Sequence, residues 1–448
     1  MLSVASAREK AEKLVEQARA AGADAADAVY VGERSSGVQV RKGALEDVHR
    51  SEGEEMGLRV FVGSKSASVA SSDLSDEALS ALVGRVIAMA GEAPEDPYAG
   101  LAPAELLLCG ELADLDNWDA IEPDPAALKA RALEAESAAL AVAGVTNSNG
   151  GSASASASTF ALATSGGFSG GTRASGHSCS VSVVAGEGSG MQRDYGWHSA
   201  RHAEDLEDAD AIGRRAAERA VARLGNTKIV PGKYPVLFEP RVAGTLLGHF
   251  SGAITGSSIA RKTSFLQDRL GEQVFAKGVT IHDDPFRKRG IRSRAFDGEG
   301  LPVRAMNIVA DGVLTTWLAT SADARQLGIQ PTGHAVRGVS GAPGAGPSNF
   351  YLAAGERSRE ELVAAFPRCI LVTELIGQGV NPVTGDYSRG AAGFLIENGE
   401  IAGPVAEITI ASNLKDMFLT LEPGSDLRFR RGVDAPTVLV PEMTVASA

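Results

Sequence analysis

Residues 150–200, GGSASASASTFALATSGGFSGGTRASGHSCSVSVVAGEGSGMQRDYGWHSA, decide the fold. Small apolar and polar residues alternate with the two-residue period of a β-strand. The same Ser/Gly richness is also the composition of a chain that cannot bury enough to fold. Phe160, Leu162, Val181, Val183, Val184 and Trp197 supply something to bury, so the segment reads as strands and hairpins. A helix flanks it on each side. Residues 124–144, DPAALKARALEAESAALAVAG, place proline at the helix start. Residues 204–225, EDLEDADAIGRRAAERAVARLG, carry acids early and arginines late, matching the helix dipole. An α+β unit over 105–226 follows.

Upstream, residues 1–24 space Val4, Ala7, Ala11, Leu14, Val15 and Ala18 along one face of an amphipathic helix. DAVYVG, GVQVRKG, LEDVHRSE, MGLRVFVG and KSASVAS then read as short strands of an antiparallel meander, and SDEALSALVGRVIAMAGEA (75–93) as a capped helix. That makes a first α+β unit over 1–93, with the proline-rich APEDPYAGLAP (93–103) as linker. Downstream of residue 228, short apolar runs separated by Gly, Pro and Asp predict a large β-rich, barrel-like domain over 228–448. It has two helices, around 240–258 and 357–365. Asp311-Gly312 and Asn398-Gly399 suit hairpin turns. The fold class is therefore α+β, with antiparallel sheets in the N-terminal units.

The chain has 448 residues, 44% hydrophobic and 22% charged, with net charge -13. Such a length suggests two or three domains. The acidic balance offers no footprint for nucleic acid or an anionic membrane. Cys109, Cys179 and Cys369 are odd in number and far apart, as for reduced thiols in a cytosol. No signal-peptide core opens the chain, and no stretch approaches about 20 apolar residues. These features point to a cytoplasmic protein.

Several constellations could carry chemistry. GFSGG (167–171) matches the nucleophile pattern around Ser169, but its sequel reads as strand rather than helix, which favours a glycine hairpin. His198 and His202 have zinc-pair spacing without the glutamate of a metalloprotease helix. His177 and Cys179 alternate on a strand and lack a third ligand. Asp283, Asp284, Asp297 and Glu299 could hold a hard cation if they met, although turn chemistry and nearby arginines explain them as well. Nucleotide-binding signatures are absent.

In the predicted helix PRVAGTLLGHFSGAITGSS (240–258), Val242, Ala243, Leu246, Leu247, Phe250, Ala253 and Ile254 fall within an arc of about 140°. Gly244, Gly248, Gly252 and Gly256 form a second stripe that suggests close backbone contact. His249 projects at the seam between them, and no carboxylate follows Arg241 in this helix. By itself such a histidine is more often packing than catalyst.

Residues 374–417, ELIGQGVNPVTGDYSRGAAGFLIENGEIAGPVAEITIASNLKDM, resemble the signature of the PmbA/TldE proteins, the sister branch of the TldD metalloprotease family. KTSFLQDRLGEQV, VTIHDDP, FDGEGLPVR, SADARQLG and TGHAVRG, between 262 and 338, keep the family's order. The TldD branch carries H-E-x-x-x-H and a distant cysteine as its zinc site. Against that pattern His249 matches the first histidine, Phe250 the glutamate and Ile254 the second histidine, and the C-terminal stretch has no cysteine. Ser412 stands where the family usually has glycine.

The resemblance therefore implies a chain with no zinc or other cofactor of its own. Zinc would sit on a TldD-like partner, and the heteromer would degrade unfolded or modified peptides in an enclosed chamber. Gly385, Asp386, Tyr387, Ser388, Arg389 and Gly390 could line that chamber and hold extended substrate, or simply form a tight hairpin. When isolated, the chain could also pair with itself as a homodimer. Two other classes are a self-associating scaffold with no proteolytic partner, and an independent hydrolase resting on Ser169 or on Asp297 with Glu299.

Overall fold

The computed structural model describes residues 1–447. Helix α1 (Val4–Ala20) starts at Ser3, whose side chain accepts the Ser6 amide. It buries the alanine, leucine and valine face read from the sequence. Strands β1 (Ala25–Arg41), β2 (Ala44–Val62) and β3 (Lys65–Ser71) follow, then α2 (Asp76–Glu92). The short runs expected between 27 and 62 are thus two long strands. Gly32, Gly37 and Gly53 sit within a continuous antiparallel ladder, Gly32 opposite Glu54 and Gly37 opposite His49, and do not interrupt it.

After α3 (Pro125–Leu140) come β4 (Val145–Thr164), β5 (Ser169–Ala185) and β6 (Gln192–Ala200), then α4 (Ala209–Ala222). All six strands form one sheet in the order β3-β2-β1-β4-β5-β6. The low-complexity stretch is ordered because its alternation is used on both faces. Ala153, Cys179, Val181 and Val183 are buried, while Ser152 meets Ser180 and Ser154 meets Ser178 through hydroxyls 2.9 and 2.8 Å apart. Helices α3 and α4 pack so closely that a Cβ on Gly213 would lie 2.2 Å from the Ala135 carbonyl oxygen. Only glycine fits there.

The rest of the chain begins with β7 (Gly232–Phe238), α5 (Pro240–Ala253) and α6 (Gly256–Ala260). It continues through β8 (Ile281–Asp284), β9 (Met306–Ala310), β10 (Val313–Leu314), α7 (Ser321–Leu327), β11 (Ala335–Val336), β12 (Gly344–Ala345) and β13 (Asn349–Leu352). It ends with α8 (Arg359–Ala364), β14 (Arg368–Ile376), β15 (Asp386–Glu397), β16 (Glu400–Asn413), α9 (Leu414–Thr420), β17 (Glu422–Pro423), β18 (Val433–Asp434) and β19 (Val438–Ser447). Strands β16-β15-β14-β7-β19 run side by side, and β16 also pairs with β19, which closes a five-stranded barrel. Sheet β10-β9-β8-β13-β18 lies beside it. The class is α+β with a barrel in the C-terminal region, as the sequence indicated. Both predicted hairpin turns adopt the left-handed backbone they require, with φ of 49° and 83° at Asp311-Gly312 and 52° and 85° at Asn398-Gly399.

Helix 240–258 is two helices. The first ends at Ala253 with Ile254 as its C-cap, and the Thr255 side chain accepts the Ser258 amide to cap the second. The helix near 357–365 is shorter than expected because Ser358 and Glu361 form a capping box that fixes its start.

The linker is anchored rather than loose. Arg325 of α7 donates to the carbonyls of Tyr98, Leu101 and Gly100 at 2.8–3.0 Å. Asp27 on β1 lies between Arg59 on β2 and Arg337 from the C-terminal region, all three buried, with Arg59 Nε 3.0 Å from its carboxylate. No described helix is long and apolar enough to cross a membrane.

Candidate functional site

Pro240 at the first turn of α5 fixes the helix start directly after β7. Every residue of the predicted apolar arc is buried: Val242, Ala243, Leu246, Leu247, Phe250, Ala253 and Ile254. Phe250 is in an aromatic cluster, edge-on to Phe275 at 4.9 Å and to Phe418 at 6.0 Å. The glycine stripe is not a continuous close contact. Gly244 approaches the Val433 carbonyl and Gly256 approaches Asp323, but Gly248 and Gly252 face open space. Glycine spacing alone could not separate a packed stripe from an exposed one.

His249 is half-buried beside Tyr387 of β15, the ring centroids 6.2 Å apart. Tyr387 and Arg389 share the inward face of β15, while Asp386 and Ser388 face outward. His249 Nε2, Tyr387 Oη and Arg389 Nε are buried and have no hydrogen-bond partner among the described residues. Burial, then the Arg389 cation, lowers the His249 imidazole below its usual range. Burial raises the Tyr387 hydroxyl to about 12 against the opposing influence of Arg389. The cluster is a neutral imidazole and a neutral phenol facing one guanidinium.

Gly385 has φ of 85°, and Asp386 accepts from Thr384 Oγ1 at 2.6 Å and Asn413 Nδ2 at 3.1 Å. Both edges of residues 386–389 are paired, to β16 on one side and to residues 379–381 on the other. An added strand has no open edge there, so this segment offers side chains rather than backbone groups.

The other candidates do not converge. Ser169 Oγ donates to Glu12 and accepts from Arg8 Nε at 3.2 Å, with no histidine among these partners. His198 lies on β6, not a helix, and its Nδ1 accepts the Glu207 amide at 3.1 Å. His202 Nε2 lies 2.9 Å from the Asp116 carbonyl oxygen. A zinc pair on one helix face is therefore ruled out for these two, because the strand persists through Ala200. His177 Nε2 is 3.2 Å from Asp119, while Cys179 is buried in the core beneath α3 and α4.

Asp283 accepts the Ser348 amide at 2.6 Å and lies 3.3 Å from His334, and Asp284 accepts the Phe286 amide. Asp297 accepts the amides of Glu299, Leu301 and Ala335, and Glu299 accepts from the amide and hydroxyl of Ser321. Burial raises the pKa of both acids. They fasten loops.

Family models match three successive parts of the chain: PmbA/TldA metallopeptidase domain 1 at residues 26–90, the central domain at 118–224 and the C-terminal domain at 231–447. The chain belongs to the PmbA/TldD family. It is 38% identical to the metalloprotease PmbA of Escherichia coli O157:H7, over 91% of this chain and 89% of that one. A PmbA homolog from Haemophilus influenzae is 34% identical, over 96% and 94%. The crystal structure of a proposed modulator of DNA gyrase from Bacteroides thetaiotaomicron superposes with a TM-score of 0.91 at 25% identity, covering 98% of this chain and 99% of that one.

The PmbA/TldD family name implies a metal, so the donor set matters. At the positions of α5 that match the zinc helix it consists of one imidazole, His249. Phe250 and Ile254 are committed to the core, and Arg389 presents a cation to His249 where a metal would need an anion. A catalytic zinc needs three protein ligands and an open position. The residues present do not fit it. The Arg389 contribution was not legible from α5 alone, because strand alternation on β15 is what turns it inward.

Proposed function

We propose that this chain is a TldE/PmbA-like, zinc-free subunit of a cytoplasmic metalloprotease complex that degrades or processes unfolded or modified peptides. Zinc and the water-activating carboxylate belong to a TldD-like partner. The observation that carries this reading is the state of α5, where the positions matching the zinc helix hold one neutral histidine, two core residues and a neighbouring guanidinium. The fold around that helix is intact, with a closed barrel and a packed aromatic core. A chain that keeps the scaffold but not the ligands fits a supporting role in a shared chamber. Residues 385–390 are its proposed wall, with Tyr387 and Arg389 bracing it from within.

The test is co-expression with a TldD-like protein, purification through a tag on this chain, and metal analysis of each separated subunit. The expected result is a stable heteromer with about one zinc on the partner, substoichiometric zinc here, and peptide cleavage only by the pair. Stoichiometric zinc on this chain alone, with chelator-sensitive cleavage of an unfolded peptide, would overturn it. So would failure of the two chains to associate.

A further inference from the structure

A chain with net charge -13 gathers arginine in one place. Between β6 with α4 and the loop 426–435 lies a cavity of about 290 Å³ lined by seven arginines and three carboxylates. Four of the arginines are paired with carboxylates, two of them with the same one. Arg215 and Arg430 share Glu207, Arg219 binds Glu239 at 2.6 Å, and Arg241 holds Asp194 at 2.6 Å. Of the lining acids, Asp434 accepts the amides of residues 430–432 and Asp426 accepts from Thr437. Arg359, Arg428 and Arg431 have no carboxylate partner among the described residues. The Arg431 guanidinium lies over the Trp197 ring at 5.1 Å and donates to the Arg241 carbonyl at 2.6 Å. Burial lowers its pKa, and the neighbouring Arg241 and Arg219 cations add to that while the nearby Asp434 carboxylate opposes it.

We propose that this cleft binds a compact oligophosphate, the diphosphate unit of a small ligand, through Arg359, Arg428 and Arg431. Three guanidinium forks around a small cavity match the dense negative charge and bidentate oxygens of a diphosphate. An acidic peptide would need three carboxylates on separate residues, which demands a longer groove. A nucleic acid polymer would meet the acidic field of the whole chain, which a short anion in the cleft largely escapes. The position between the middle and C-terminal parts of the fold is a common place for a small-ligand site. This site lies at the N-terminal end of α5 and does not include His249, and the proposal does not depend on the proteolytic reading.

Isothermal titration of the full-length protein with inorganic pyrophosphate, against sodium chloride at matched ionic strength, tests it. Saturable binding with about one site per chain is expected. Arg428→Ala and Arg359→Ala should each weaken it by about tenfold, whereas Arg85→Ala, at an exposed position of α2, should not. Circular dichroism checks that each variant is folded. A parallel titration with ATP distinguishes sources: a tighter constant for ATP assigns a nucleotide, an equal or weaker one a bare oligophosphate. No saturable pyrophosphate binding, undiminished binding in the Arg359→Ala/Arg428→Ala double variant, or tighter binding of tri-aspartate than of pyrophosphate would each overturn the proposal.

Discussion

The imidazole of His249 stands edge-on to the phenol of Tyr387, with the ring planes at 81°. This joins α5 to β15 through polar rings whose outer atoms have no hydrogen-bond partner among the described residues. Protonating His249 therefore places a second cation beside Arg389. The unfolded chain takes up that proton at the ordinary histidine value of about 6.5, and the folded chain resists it. Stability should fall as pH drops below about 6.5. Urea unfolding at pH 7.5 and 5.5 should show a smaller loss in His249→Asn than in the unmodified protein. An equal loss in both would contradict the arrangement.

Phe250 is fully buried among Phe275, Phe350 and Phe418. Phe250→Ala should cost about 3–5 kcal/mol by removing a large side chain from a rigid aromatic cluster. Writing the zinc letters back in, as Phe250→Glu with Ile254→His, should destabilise the barrel domain rather than create a metal centre. Denaturant midpoints and bound zinc per chain are the readouts, and a stable variant holding one zinc would refute this.

Glu207 is the acid shared by Arg215 and Arg430, and it ties the start of α4 to the loop before β18. Burial alone would raise its pKa, but the two guanidiniums dominate and push it down to about 2. Its contribution is full above about pH 4.5 and disappears as pH falls through about 2. Because the carboxylate is partly solvated, the full shift is discounted to about 1–2 kcal/mol. Glu207→Gln should lose that amount at pH 7 and little at pH 2, as followed by thermal unfolding across the range.

Asp27 is the only carboxylate paired with the buried Arg59 and Arg337 among the described residues. Asp27→Ala leaves two buried cations uncompensated and should cost about 3–5 kcal/mol. Replacing Asp27, Arg59 and Arg337 together with apolar residues of similar size should recover much of that loss. Chemical unfolding of the single and triple variants decides it. A triple variant no more stable than the single would show that the charges themselves contribute.

How much of this was legible in the sequence depends on the range of the interaction. The core face of α5 was readable because a helix period is local, and all seven residues of the arc are buried. Strand alternation gave the Ser/Ala ladder of β4 and β5 for the same reason. The break at Thr255 was missed because the Gly256 amide leaves the helix to reach the Leu318 carbonyl, a contact far away in sequence. Arg389 beside His249 and Arg337 beside Asp27 were equally invisible, since no local pattern announces a partner supplied by a distant part of the chain.

The pairing of β1 with β4 has a consequence for how the chain comes to be folded. β1 can zip onto β2 as soon as residue 62 has been made, but its other edge meets Asp27↔Thr164 at one end and Val40↔Gly151 at the other. Until that distant strand emerges, a long edge with unused amides and carbonyls is open to any passing strand. During synthesis the first hairpin must therefore wait for a stretch roughly a hundred residues later, a delay that non-local pairing always imposes. The acidic and basic residues that stud β1 and β2 keep that waiting edge in solution.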